Sequence, residues 1–80
     1  MSKQEKLLKQ ARNNPQGLSF NDFKTLLSRF QWVEDHQTGS HSIWYSPIGF
    51  RLSIQNRNGM AKGYQVKQFL SQLDEDIPNE

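Results

Sequence analysis

The sequence predicts an α+β fold: a three-stranded antiparallel sheet flanked by helices, in the order α-β-β-β-α, with an extra helix at the N-terminus. Three observations predict it. The stretches "FNDFKTLLSRF" and "GYQVKQFLSQL" place apolar residues at helical spacing near the two ends of the chain. Between them, "SHSIWYS" and "GFRLSIQ" are rich in β-formers, and the second alternates with period two. Turns as short as "TGS" and "SPIG" separate the strands, which fits a meander.

Each element has its own local reason. "KQEKLLKQARNN" reads as a short helix with Leu7, Leu8 and Ala11 on one stripe. Asn13, Asn14 and Pro15 stop it, because the residue before a proline is disfavoured in the helical region, and Gly17 completes the break. Residues 1–17 are therefore expected to form an N-terminal helical extension, and residues 18–73 the α-β-β-β-α domain. Ser19 is a good N-cap for the next helix, with Asp22 three residues later and Leu18 and Phe23 at the hydrophobic-staple positions. Phe20, Phe23, Leu26, Leu27 and Phe30 mark its core face.

"WVEDHQ" is the weakest of the three strands. In the third, Phe50, Leu52 and Ile54 fall on one side, with Arg51, Ser53 and Gln55 on the other. "NRNGMAKG" reads as a loop with an Asn-Gly pair. Val66, Phe69, Leu70 and Leu73 give the last helix its buried stripe. Residues 74–80, "DEDIPNE", are expected to be an acidic, frayed or disordered tail, since acids oppose the helix macrodipole at its C-terminus.

Composition bounds the function. The chain has 80 residues, of which 34% are hydrophobic, so the core must be small; nine aromatic residues help to fill it. With no cysteine, disulfides and thiolate metal sites are excluded, and the chain fits a reducing cytoplasm. The N-terminus lacks a signal-peptide pattern, and no apolar stretch reaches membrane-spanning length, so no membrane partner is expected. Charge is unevenly placed. Residues 49–67 carry Arg51, Arg57, Lys62 and Lys67 without an acid, whereas residues 68–80 carry Asp74, Glu75, Asp76 and Glu80 without a base. A basic third strand and loop is the pattern of a surface for a polyanion; the plain alternative is an ordinary solvated surface.

Two histidines, His36 and His41, are the candidates for chemistry. Without cysteine they make a poor metal set, and Asp35 adds little because strand neighbours point to opposite faces. No metal or other cofactor is expected. No phosphate-binding glycine loop, nucleophile elbow or paired-carboxylate pattern is present. His41 opens a strand directly after Gly39 and Ser40. Glycine there allows a tight turn, serine can donate to a phosphate oxygen, and histidine can move a proton near neutral pH. In RNA, a histidine can deprotonate a ribose 2′-hydroxyl, which then attacks the adjacent phosphate, provided cations stabilise the developing charge. Arg51, Arg57, Lys62 and Lys67 are the cations available, with Lys62 near the start of the last helix, where backbone amides also favour phosphate. The plain reading of His41 is a strand residue with no special role. Its direction depends on its neighbours: if Ile43 is core, His41 points towards the helices, and if Trp44 is core, it points to the open face.

Over roughly residues 20–73 the chain resembles the HicA family of small mRNA-interferase toxins. The resemblance lies in the helix "FNDFKTLLSRFQW", the turn and strand "GSHSIWYSP", the aliphatic strand "FRLSIQ", and the "KG" that opens "KGYQVKQFL". It implies a double-stranded-RNA-binding-domain-like fold, metal-independent RNA cleavage, and inhibition by a HicB-type antitoxin. It also implies His41 as the catalytic residue, with Gly39 and Ser40 shaping the site and Lys62 and Gly63 in the segment before the last helix. The first helix, the loop "NRNG" and the acidic tail depart from the family pattern. The leading expectation is thus a toxin-type endoribonuclease acting on mRNA. A non-catalytic RNA-binding module on the same fold is the rival, and a pure protein-interaction domain is a third reading.

Overall fold

The computed structural model describes residues 3–76. It contains α1 (Lys3–Asn13), a 3₁₀ turn (Pro15–Gly17), α2 (Phe20–Arg29), β1 (Val33–Thr38), β2 (His41–Tyr45), β3 (Arg51–Arg57), β4 (Met60–Ala61) and α3 (Gly63–Asp76). The sheet is antiparallel with strand order β1-β2-β3-β4. One face carries the core, where Trp44, Leu52, Ile54 and Ala61 meet Phe23, Leu26 and Leu27 of α2 and Val66, Phe69 and Leu70 of α3. Phe69 is the centre of an edge-to-face aromatic group, with ring centroids 5.4 Å from Trp32, 5.9 Å from Phe23 and 6.1 Å from Phe30. Each such pair adds about 0.5–1.5 kcal/mol beyond the area it buries.

The predicted α2 start is present: the Asp22 amide donates to Ser19 Oγ at 3.1 Å. The helix ends at Phe30 and Gln31, the latter at φ +70°. There the Trp32 amide donates to Leu27 O and the Gln31 amide to Ser28 O, which satisfies the last carbonyls and folds Trp32 back into the core. α1 packs by Ala11, fully buried, with Leu7 and Leu8 against the same core.

Two expectations need correction. The sheet has four strands rather than three, because Met60–Ala61 pairs with Asn56–Arg57. Asn58 and Gly59, at φ +54° and +86°, form a two-residue hairpin turn there. A strand of two residues is too short to show alternation, and its other side is held by the chain before α2, through Ala61 N to Leu18 O and Phe20 N to Gly59 O, both 3.0 Å. The second concerns the tail. α3 continues through Asp76, so Asp74 and its neighbours are helical rather than frayed. Asp74 Oδ1 accepts from Arg12 Nη2 at 2.7 Å, and this cation from α1 offsets the unfavourable position of an acid near a helix C-terminus. The remainder of the predicted tail, 77–80, lies outside the described residues. Among the described residues no helix is long and apolar enough to cross a membrane.

Candidate functional site

The orientation of β2 decides the site. Trp44 is in the core and Ser42 is fully buried, so the even-numbered residues of β2 face the helices. The Trp44 indole Nε1 donates to Ser42 Oγ at 2.8 Å, Ser42 Oγ donates to Glu34 Oε2, and Lys24 Nζ lies 3.7 Å from the same carboxylate. Among the described residues no buried side-chain nitrogen or oxygen is left without a partner. His41, Ile43 and Tyr45 consequently lie on the open face, as do Arg51, Ser53 and Gln55 of β3, their partners across the ladder. Of the two directions left open by the sequence, His41 takes the second.

The turn before His41 is built as expected. Gly39 has φ +60°, a conformation that L side chains rarely adopt, although the space beside it is open. The Asn56 amide donates to Ser40 O at 2.8 Å, which ties the turn to β3 and fixes where His41 begins.

Three concavities surround these residues. A depression of about 330 Å³ on the open face is lined by His36, Thr38, His41, Ile43, Arg51 and Ser53. A groove of about 370 Å³ runs from His41 and Arg51 over the edge of β3 to Tyr64, Gln65 and Gln68 of α3. The third, about 600 Å³, lies between the β3–β4 turn and the start of α3, and includes Arg57, Asn58, Lys62, Gly63 and Tyr64. Tyr64 lines both of the last two, so they adjoin. Lys62 Nζ sits over its ring, 5.8 Å from the centroid.

His41 and Arg51 are therefore brought together, and so are Arg57 and Lys62. Gly39 and Ser40 shape the turn and line none of the three concavities, and neither does Lys67, exposed on α3. Lys62 caps α3: its carbonyl accepts from the Gln65 and Val66 amides at 3.0 and 3.1 Å. The glycine after it has a packing reason. A Cβ on Gly63 would stand 2.6 Å from Gln16 Cγ, so glycine lets the 3₁₀ turn close on the start of α3.

The placement of several site residues carries no signal in the sequence. Gln65 is buried, and its Oε1 accepts from the Gln55 amide at 2.8 Å, which closes the exposed edge of β3 just beyond the short β4. Tyr64 has only its position beside Lys62–Gly63 to recommend it. His36 reaches the open face because the register shifts between Glu34 and His36, a β-bulge at Asp35. The bulge also defeats the expectation that Asp35 and His36 point apart: His36 Nδ1 and Asp35 Oδ2 are 2.6 Å apart. Among the described residues no group of three or more His, Cys, Asp or Glu side chains converges as a metal set would.

No curated protein and no solved structure is similar enough to the chain to match it. The model of one family, the HicA toxin of bacterial toxin-antitoxin systems, matches residues 20–74. That span opens with α2, contains all four strands and the Gly39–His41 turn, and runs through most of α3, leaving α1 outside. A match over well over half of the chain, on the elements that carry the open-face site, shows that the protein belongs to the HicA toxin family of bacterial toxin-antitoxin systems.

Proposed function

We propose that the protein is a toxin-type endoribonuclease, an mRNA interferase that cleaves RNA by metal-independent acid/base chemistry at His41. The observation that carries the reading is the joint placement of His41 and Arg51 in one depression on the open face, away from the helices. An RNA strand laid across that face meets an imidazole able to take the 2′-hydroxyl proton and a guanidinium able to stabilise charge on the phosphorane. Gly39 and Ser40 hold the entry of the strand, and the Ser40 hydroxyl is within the same turn for a phosphate oxygen. Arg57 and Lys62 bind flanking phosphates at the α3 end, where amides of the first helical turn assist, and Lys67 adds a solvent-exposed phosphate contact.

In this reading RNA is the substrate, and a HicB-type antitoxin is the inhibitory partner, covering the open face. Expression of the wild type without antitoxin is expected to arrest growth and degrade mRNA, and His41→Ala to do neither. RNA that is bound but left intact by the wild type would instead support a non-catalytic RNA-binding module.

A further inference from the structure

His36 shares the open-face depression with His41, and nothing in the proposed function uses it. Its presence there is not an accident of strand alternation. The bulge at Asp35 moves His36 into the alternation phase that places it opposite Ile43, while Thr38 stands opposite His41. His36 is thus the diagonal neighbour of His41, and such pairs lie about 7–8 Å apart. That separation suits two imidazoles placed on either side of one phosphodiester, with Arg51 of β3 lining the same depression. The bulge does a second thing. It lets the Asp35 carboxylate meet His36 Nδ1 at 2.6 Å, which two adjacent residues of a regular strand do not do. With Nδ1–H given to Asp35, the nitrogen left for any other partner is Nε2.

We infer that His36 is the second acid/base residue of this site, the group that protonates the leaving oxygen, with Asp35 as its positioning residue. The inference rests on the ribonuclease reading of the open face. His41 takes the proton of the ribose 2′-hydroxyl, and the freed oxygen pair forms a bond to phosphorus. The bond from phosphorus to the 5′-oxygen of the next nucleotide breaks, and its electron pair goes to that oxygen. His36, protonated at both nitrogens, gives the Nε2 proton to it. The products are a 2′,3′-cyclic phosphate and a free 5′-hydroxyl, with one proton moved from His36 to the leaving group and one from the substrate to His41. Exchange with water restores both imidazoles, and no metal or redox partner takes part.

The test uses the full chain and an RNA oligonucleotide that the wild type cleaves, made with an ordinary linkage or with sulfur in place of the bridging 5′-oxygen at the cleaved position. A thiolate leaves without being protonated, so it removes the need for a general acid. His36→Gln is expected to slow cleavage of the ordinary linkage by about 10²–10⁴-fold and to cleave the sulfur linkage within a few-fold of wild type. His41→Gln is expected to be slow on both. Asp35→Asn is expected to show the His36→Gln pattern in weaker form. His36 and Asp35 are solvent-exposed, so neither change is expected to unfold the protein; unchanged thermal melting confirms it. The inference is overturned if His36→Gln cleaves the ordinary linkage at the wild-type rate, or if it is slowed equally on both linkages. A wild type that cleaves no RNA at all overturns the ribonuclease reading, and this inference with it. Loss confined to His41→Gln overturns this inference and leaves the ribonuclease reading standing.

Discussion

The Trp44 indole N–H donates to the Ser42 hydroxyl at 2.8 Å, and the two side chains share the helix-facing side of β2. The relationship explains how a serine can sit fully buried in a small core. The hydroxyl accepts from Trp44 and donates to Glu34, so the indole and the carboxylate are both satisfied through one oxygen. It also fixes the phase of the strand, and with it the exposure of His41 on the other face. Ser42→Ala leaves the buried indole N–H without its partner. A loss of about 1–3 kcal/mol in unfolding free energy is expected, read by urea denaturation.

Arg12 and Asp74 join the first helix to the last, and the guanidinium, hydrogen-bonded to the carboxylate, holds Asp74 below the ordinary aspartate range. A carboxylate whose folded-state value is depressed stabilises the fold above its unfolded value and loses that contribution as the pH falls through the folded one. Arg12→Gln is therefore expected to be less stable than wild type at neutral pH and to converge with it in strong acid. The pair is solvent-exposed, so the difference should be small and should shrink with added salt. Chemical denaturation of both proteins across pH, with NMR titration of Asp74, checks the sign.

Arg51 and Lys67 carry the same charge but different expectations. Arg51 lines the depression that holds His41, whereas Lys67 is exposed on α3 outside it. Removing a group that stabilises transition-state charge typically costs about 10²–10³ in rate, and Arg51→Gln is expected to lower kcat on that scale. Lys67→Gln should leave kcat unchanged, weaken RNA binding modestly, and reduce the salt slope of binding by about one. Single-turnover cleavage and a salt series of binding measurements distinguish them.

Much of this arrangement was legible in the sequence, and the exceptions have physical causes. The helix stripes of α2 and α3 were readable because burial follows a 3.6-residue period, and Ser19 marked the start of α2 by its capping chemistry. Turn residues and β-formers located β2 and β3. β4 was hidden because two residues carry no period and one of its sides is held by Leu18, distant in sequence. Asp74, within α3, is hydrogen-bonded to Arg12, 62 residues earlier, a contact that no local propensity reports. In the site, the "GSH" turn and the basic residues were visible as types. The direction of His41 was not, because Ile43 and Trp44 are both good core residues and both are in fact buried. Only the three-dimensional pairing of Trp44 with Ser42 separates them. The placement of His36 beside His41 was not legible for a related reason: a bulge shifts alternation by one residue, and nothing in "WVEDHQ" announces it.

The measurement that bears most directly on the account is cleavage of RNA by purified wild-type protein and by His41→Ala, without added metal and with a chelator present. His41 is exposed on the open face and takes no part in the core, so the variant should melt at the wild-type temperature. The account predicts that the wild type cleaves, that the product ends in a 2′,3′-cyclic phosphate, and that His41→Ala is slower by about 10²-fold or more. Equal cleavage by the two proteins, or none by a folded wild type freed of antitoxin, would contradict it.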